Sequence, residues 1–138
     1  MRSLLTLAAL FPAIVLAQTQ EDYIKMMSKF VKYYNNHQPD SICKLFKPKP
    51  DIETGCVWTW FESKHKGQNI LADDGKIIDY AYLGKDTTDP NDVGIFKVVY
   101  KKRGKVAMSF NLDEHKQFGT FRRITSSPEI DAMLKNSK

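Results

Sequence analysis

The sequence has few of the residues from which metal sites are built. It contains two cysteines and three histidines. His37, His65 and His115 stand alone, with no His-x-x-His or Cys-x-x-Cys spacing around them. Zinc sites need such ligands in clusters. The sequence therefore predicts no metal site, and no motif in it indicates a cofactor.

Glycine and proline are also scarce, at seven and six residues, and no segment repeats. Fibrous and low-complexity chains are excluded by this composition. The chain has 138 residues, of which 42% are hydrophobic and 27% charged, and this suits one globular domain. No Gly-x-Ser-x-Gly is present to mark a hydrolase nucleophile.

The longest apolar run is too short to cross a membrane. It extends from Leu4 to Leu16, 13 residues, and includes Pro12, whereas a spanning helix needs about 20. Arg2 precedes the run, and small residues end it at Ala17. This pattern favours a cleaved signal peptide (1–17) over a membrane anchor, leaving a single domain (18–138) that is secreted or periplasmic.

Positive charge exceeds negative charge, and the formal net charge is +5. The one dense basic cluster covers residues 101–105 and lies between two alternating apolar segments. Such a cluster can bind phosphate. Its position favours a solvated hairpin turn instead, and an exported protein rarely meets nucleic acid, so no nucleic-acid partner is predicted.

The first half of the mature chain has helical periodicity. Apolar residues spaced by three and four predict a helix from Glu21 to about Asn35, with Thr19 as its N-cap. A short second helix is expected over 41–46, capped by Asp40. A third is expected from about Thr54 to His65 and could extend to Ala72, although Gly67 disfavours the extension. The apolar positions of the first helix are Tyr23, Ile24, Met27, Phe30, Val31 and Tyr34.

The second half alternates with a period of two, which is typical of strands. Strands are predicted at 76–83, 93–101, 105–112 and 118–124, followed by a helix over 129–134 capped by Ser126 or Ser127. Helices separated from an antiparallel meander define an α+β domain.

Several segments resemble the nuclear transport factor 2-like superfamily, and more narrowly small exported domains of unknown function found alone or fused to secreted serine hydrolases. The resemblance covers roughly residues 20–125. It rests on 41–46, on Asp74-Gly75-Lys76-Ile77, and on 96–100, 106–113 and 119–121, which look like the last three strands of the family. It implies a curved four-stranded sheet wrapped around the N-terminal helices as a cone with a pocket at its wide end.

In some members of that superfamily the pocket is catalytic, and in others it binds a ligand. A ketosteroid-isomerase-like reaction needs a carboxylate base and a tyrosine or protonated acid. Residues of these types are Glu62, Asp79, Tyr80, Tyr82 and Asp113, but no spacing singles them out. The expected function is therefore a non-catalytic domain that binds a small hydrophobic ligand or a protein partner, and the alternative is a small pocket enzyme of isomerase or dehydratase type.

Four residues are candidates for lining a pocket: Trp58, Tyr80, Tyr82 and Arg122. Tyr80 and Tyr82 share one face of the first predicted strand, and Arg122 could reach a pocket from the last. The alternative, which the abundance of aromatic residues in cores favours, is that the three aromatic residues are core or rim residues.

The outer face of the sheet is also more apolar than a solvated face requires. Ile95 and Val99 fall on the side of their strand opposite to the predicted core. Related domains often pair through this surface, so a homodimer is expected as one possibility and a monomer with a patchy face as the other.

Cys43 and Cys56 are predicted to form a disulfide, because an exported chain meets an oxidising environment. A loop of this size would stabilise the fold by about 3 kcal/mol in the chain-entropy model. Two buried free thiols are the alternative.

This disulfide is testable by mass. The non-reduced protein should be about 2 Da lighter than the reduced protein, since each joined thiol loses one hydrogen. Rapid alkylation of both cysteines in the native, non-reduced protein would contradict the bridge.

Overall fold

The computed structural model describes residues 18–46, 73–124 and 127–137. The predicted signal peptide (1–17) and the predicted third helix (54–72) lie outside the described residues. The described elements are helices α1 (Gln20–Asn35) and α2 (Pro39–Cys43), strands β1 (Ile77–Lys85), β2 (Gly94–Tyr100), β3 (Gly104–Leu112) and β4 (Phe118–Ile124), and helix α3 (Pro128–Asn136).

Helix α1 begins with a capping box, as the sequence predicts for Thr19. The Thr19 side chain accepts a hydrogen bond from the Asp22 N–H, and the Asp22 carboxylate accepts one from the Thr19 N–H. Its buried face follows helical spacing through Tyr23, Met27, Phe30 and Tyr34. Ile24, predicted on that face, is instead exposed.

Helix α2 differs from its prediction in bounds and cap. It starts at Pro39, whose missing N–H costs nothing in a first turn, and Gln38 precedes it without a side-chain hydrogen bond. Asp40 therefore lies inside the first turn, and its assignment as the N-cap is wrong. Beyond the helix, the Leu45 carbonyl accepts a hydrogen bond from the Phe118 N–H at 2.8 Å, which joins this segment to β4.

The four strands form one open antiparallel sheet in the order β1-β2-β3-β4. Each strand pairs with its neighbour in the chain, so the predicted meander and the α+β class are confirmed. The strand bounds agree with the predicted ones within two residues.

Three β-bulges decide which side chains lie on which face. Two interrupt β1, at Ile78 and Leu83, and one interrupts the β3–β4 pairing between Phe118 and Phe121. Each adds one residue to a strand, and an added residue reverses the alternation beyond it. Counting by two from a strand end therefore gives the wrong face after a bulge.

The inner face of the sheet packs against α1. Phe96, Phe110 and Phe118 on this face have no exposed surface, and Phe96 and Phe110 stack at 5.2 Å between ring centroids. Tyr23 of α1 lies so close to Gly94 that a Cβ there would be 2.6 Å from its ring. Only glycine permits this approach of helix and sheet.

The outer face is covered by α3. Ser127 caps this helix by accepting a hydrogen bond from the Ile130 N–H at 3.2 Å, and Pro128 occupies its first turn, as predicted. Ile130 packs with Ile95 and Ala107, each of which is 2% exposed. Ile95 is therefore buried by the chain itself, whereas Val99 stays half-buried opposite the exposed Asp79. A homodimer through this face stays a prediction.

None of the described helices is long and apolar enough to cross a membrane.

The cover on the outer face can be tested through Ile130. We expect Ile130→Ala to lower the free energy of unfolding by about 2 kcal/mol, since a buried side chain loses its packing against Ile95 and Ala107. Urea denaturation measures this loss. Ala132→Ser, at an exposed position of the same helix, is the control and should change stability by less than about 0.5 kcal/mol. Equal losses in both variants would contradict a stabilising contribution from the packing of Ile130 against the sheet.

Candidate functional site

The structure brings together two of the four predicted pocket residues. Tyr80 and Tyr82 lie opposite Val98 and Phe96 on the inner face, which confirms that the two tyrosines share a face. Both are half-buried and pack against the core. Trp58 lies outside the described residues.

Arg122 lies on the other face of the sheet. It pairs with Ser109, its side chain is 67% exposed, and it forms an ion pair with Asp89 at 3.7 Å. The bulge between Phe118 and Phe121 explains this position, because counting by two from Phe118 would bring Arg122 inward. Its neighbour Arg123 is on the inner side instead, opposite Met108.

Neither of the two described candidate carboxylates lies on the strand face that Tyr80 and Tyr82 share. Asp79 pairs with Val99 on the outer face, is 58% exposed, and contacts Lys97 at 3.1 Å. Asp113 lies in the β3–β4 turn, where its Oδ1 accepts hydrogen bonds from backbone N–H groups and its buried Oδ2 has no hydrogen-bond partner. Glu62 lies outside the described residues.

Tyr82 belongs to an aromatic layer with Tyr23. Their rings stack at 6.0 Å, and the Tyr23 hydroxyl donates a hydrogen bond to the Asp92 carbonyl. Burial raises the pKa of Tyr23, and the nearby Asp92 carboxylate adds to the rise. Burial likewise raises the pKa of Tyr82. Both hydroxyls therefore stay protonated near neutral pH.

A buried ionic cluster, which the sequence analysis missed, lies at the β2–β3 end of the sheet. Asp74 is 3% exposed, and its Oδ1 accepts a hydrogen bond from Arg103 Nε. Its Oδ2 accepts one from Arg123 at 2.7 Å. The Asp74 carbonyl also accepts from the N–H groups of Lys102 and Arg103. One carboxylate thus ties together the start of β1, the β2–β3 hairpin and the end of β4.

Two tyrosines cover this cluster from the inside. Tyr34 donates a hydrogen bond from its hydroxyl to the Gly75 carbonyl at 3.0 Å, and its ring meets Tyr100 edge-on at 5.8 Å. The Arg123 guanidinium lies 5.7 Å from the centre of the Tyr100 ring, a cation–π arrangement. Burial raises the pKa of Tyr100 to about 12, and it raises the pKa of Tyr34 as well.

A sequence signal for Arg123 was present. Phe121 and Arg123 have the same parity, and Phe121 packs against the core. Assigning the inner face from Phe121 rather than from Phe118 would have brought Arg123 inward. No comparable signal marks Asp74, because its two partners, Arg103 in the β2–β3 turn and Arg123 in β4, are distant in sequence.

Basic side chains collect around this cluster. The Lys101 N–H donates to the Lys76 carbonyl at 2.8 Å, and the Lys102 side chain packs over Gly75. We call this region the basic end, and it consists of Lys76, Lys101, Lys102, Arg103 and Arg123. The hairpin turn predicted at 101–105 is thus confirmed, but it is part of a larger basic surface.

The opposite end of the sheet is acidic. The Asp22 carboxylate, in the first turn of α1, binds Lys116 at 2.7 Å, and this bond lowers the pKa of Asp22 to about 2. Lys85 binds Asp92 at 2.5 Å. The acidic end, as we call it, comprises Glu21, Asp22, Asp86, Asp89, Asp92, Asp113 and Glu114. Lys85, Lys116 and Arg122 also lie at this end, paired with Asp92, Asp22 and Asp89. Acidic side chains therefore outnumber basic ones at this end of the described sheet, and basic side chains outnumber acidic ones at the other.

The predictions for the disulfide and for metal binding can be compared with the structure only at the described residues. Cys43 is the one cysteine among the described residues, and it is not a free thiol. Cys56 lies outside the described residues. The pairing of the two stays a prediction. Within residues 18–46, 73–124 and 127–137, no group of three or more His, Cys, Asp or Glu side chains could hold a metal ion.

No family model, no curated protein and no solved structure matches the chain. The resemblance to the nuclear transport factor 2-like superfamily therefore rests on the sequence segments given above.

The raised pKa of Tyr100 predicts loss of stability in alkali. Both states keep the hydroxyl protonated below pH 10, but from pH 10 to about 12 the unfolded state ionises first and is favoured. Tyr100 alone should contribute a loss of about 2–3 kcal/mol over this range. Urea denaturation at successive pH values measures the loss.

Tyr100→Phe should flatten this part of the pH profile, because a phenylalanine has no proton to lose. Tyr33→Phe, at a half-buried tyrosine of α1, is the matched control. If the two variants and the unchanged protein lose stability in parallel, Tyr100 is not the group that links folding to pH.

Proposed function

We propose that the protein is an exported, non-catalytic domain of nuclear transport factor 2-like architecture that acts by binding a partner at its surface. The observation that supports this proposal best is the packing of the space between α1 and the sheet. Aromatic rings fill that space among the described residues, where a pocket enzyme of this architecture would need a cavity.

The rings around Phe110 illustrate this packing. Phe110 lies 4.7 Å from Phe118, 5.2 Å from Phe96 and 5.6 Å from Tyr23, measured between ring centroids. All four residues are fully buried. Contacts at these distances leave no room for a ligand between the rings.

The buried polar groups next to the inner face are already engaged, and the exception, the unpartnered Oδ2 of Asp113, lies in the β3–β4 turn. Asp74 is the one fully buried carboxylate of the described residues, and guanidinium groups occupy both of its oxygens. The hydroxyls of Tyr23 and Tyr34 donate to backbone carbonyls. A general base must be able to accept a proton from a substrate, and a tyrosine that stabilises an oxyanion must donate to it. These groups have other partners.

Export remains part of the proposal and rests on the first 17 residues. The signal-peptide pattern supports a secreted or periplasmic location. The absence of a free thiol among the described residues agrees with an oxidising compartment. The partner is therefore sought on the surface, which includes the two charged ends.

The alternative, an isomerase or dehydratase, predicts a hollow interior. We expect the exported protein to bind no benzene, because apolar probes enter only preformed apolar cavities. Methyl chemical shifts during a benzene titration measure this. Phe110→Ala should create a cavity and bind the probe, and Met27→Ala, at another fully buried position, serves if the first variant does not fold.

A catalytic assay completes the comparison. The protein should not accelerate isomerisation of a β,γ-unsaturated 3-ketosteroid above the buffer rate. Benzene binding by the unchanged protein, or steroid turnover above the buffer rate, would contradict a non-catalytic surface-binding domain and support the enzyme.

A further inference from the structure

The basic end has a fixed shape because its backbone and its buried carboxylate hold it. The 101–103 turn is bonded to the 74–76 segment through three backbone hydrogen bonds, from the N–H groups of Lys101, Lys102 and Arg103. Asp74 fixes Arg103 and Arg123 from below, while 43% and 39% of these side chains stay exposed. Asp74 and the exposed Asp73 offset part of the charge of the five basic side chains, which leaves a net charge of +3 at the basic end. This charge lies on a rigid platform and not on a loose tail.

An exposed apolar side chain lies next to this platform. Ile78 is 64% exposed, the more exposed of the two large hydrophobic residues that the described part leaves at the surface. It is the extra residue of the first β1 bulge, since Ile77 pairs with Tyr100 and Asp79 with Val99. Because of the bulge, Ile78 has no residue opposite it on β2. In the sequence it is two residues from Lys76, which belongs to the basic end.

We propose that the basic end, together with Ile78, docks the protein reversibly on an anionic phospholipid surface. Lysine and arginine side chains are attracted to anionic headgroups, and an exposed isoleucine can enter the boundary between headgroups and acyl chains. The inference rests on the proposed function, because it names the partner of the surface binding proposed there.

Two observations favour a lipid surface over a dissolved polyanion. Ile78 gains from an apolar layer, which a lipid surface offers and a soluble polyanion does not. The acidic end is also distant from the platform. Strand β3 has nine residues and is about 30 Å long, whereas charges are screened within about 8 Å at physiological ionic strength. A molecule standing on its basic end therefore keeps its acidic end out of the repulsive field.

Co-sedimentation with vesicles tests the proposal on protein purified after export. Vesicles of phosphatidylserine and phosphatidylcholine should bind the protein, and vesicles of phosphatidylcholine alone should not. The double variant Lys101→Glu and Lys102→Glu should lower the affinity about tenfold or more, and Ile78→Ser about threefold or more. Raising the ionic strength to about 1 M should weaken binding, since screening then acts over about 3 Å.

The matched control changes the same number of charges elsewhere. Lys25→Glu with Lys29→Glu alters two exposed lysines of α1 and should change the affinity by less than about twofold. Circular dichroism checks that each variant is folded. If the charge reversal at 101 and 102 prevents folding, Lys101→Gln with Lys102→Gln replaces it and should also weaken binding.

Three results would overturn the proposal: no binding to the anionic vesicles, equal losses in the control and test variants, or binding to dextran sulfate and vesicles that Ile78→Ser leaves unchanged. The last result would define a site for soluble polyanions. The benzene titration addresses the interior, so its outcome is independent of these vesicle measurements.

Discussion

Packing of the aromatic face of α1 against the inner face of the sheet is the interaction on which the rest of the structure depends. Tyr23 fits over Gly94 at one end of the helix, and Tyr34 reaches Gly75 at the other. Between them Phe30 meets Phe118 and Phe121 of β4. The helix thus contacts both edge strands, β1 and β4, and reaches both ends of the sheet. These contacts fix the position of the sheet relative to the helix.

The sheet then determines which groups become neighbours. Asp74 precedes β1, Arg103 lies in the turn between β2 and β3, and Arg123 belongs to β4. The meander brings all three side chains into contact. Burial of the carboxylate is tolerated because two guanidinium groups satisfy its oxygens. Such a site stabilises a hairpin and positions its charges, and in this way the core and the surface are coupled.

Periodicity predicted α1, the strand order and the α+β class, because these depend on contacts close in sequence. The prediction for Arg122 illustrates the limit. A single added residue between Phe118 and Phe121 reverses the face of everything after it, and no composition rule marks that residue. The burial of Ile95 was also beyond reach, because the helix that covers it lies at the far end of the chain. The burial of Asp74 could be predicted only with the β1–β2 and β3–β4 pairings known, because these bring Arg103 and Arg123 to it.

The unequal charge at the two ends gives the described part of the chain a dipole moment along its strands. An electric field therefore exerts a torque on it, and near a charged surface the molecule rotates before it makes contact. Fewer orientations must then be sampled before productive contact, because the end opposite in charge to the surface faces it on each approach. The macrodipole of α1 points the opposite way, with its positive pole among the acidic residues, so each pole of the helix is matched by side chains of the opposite sign.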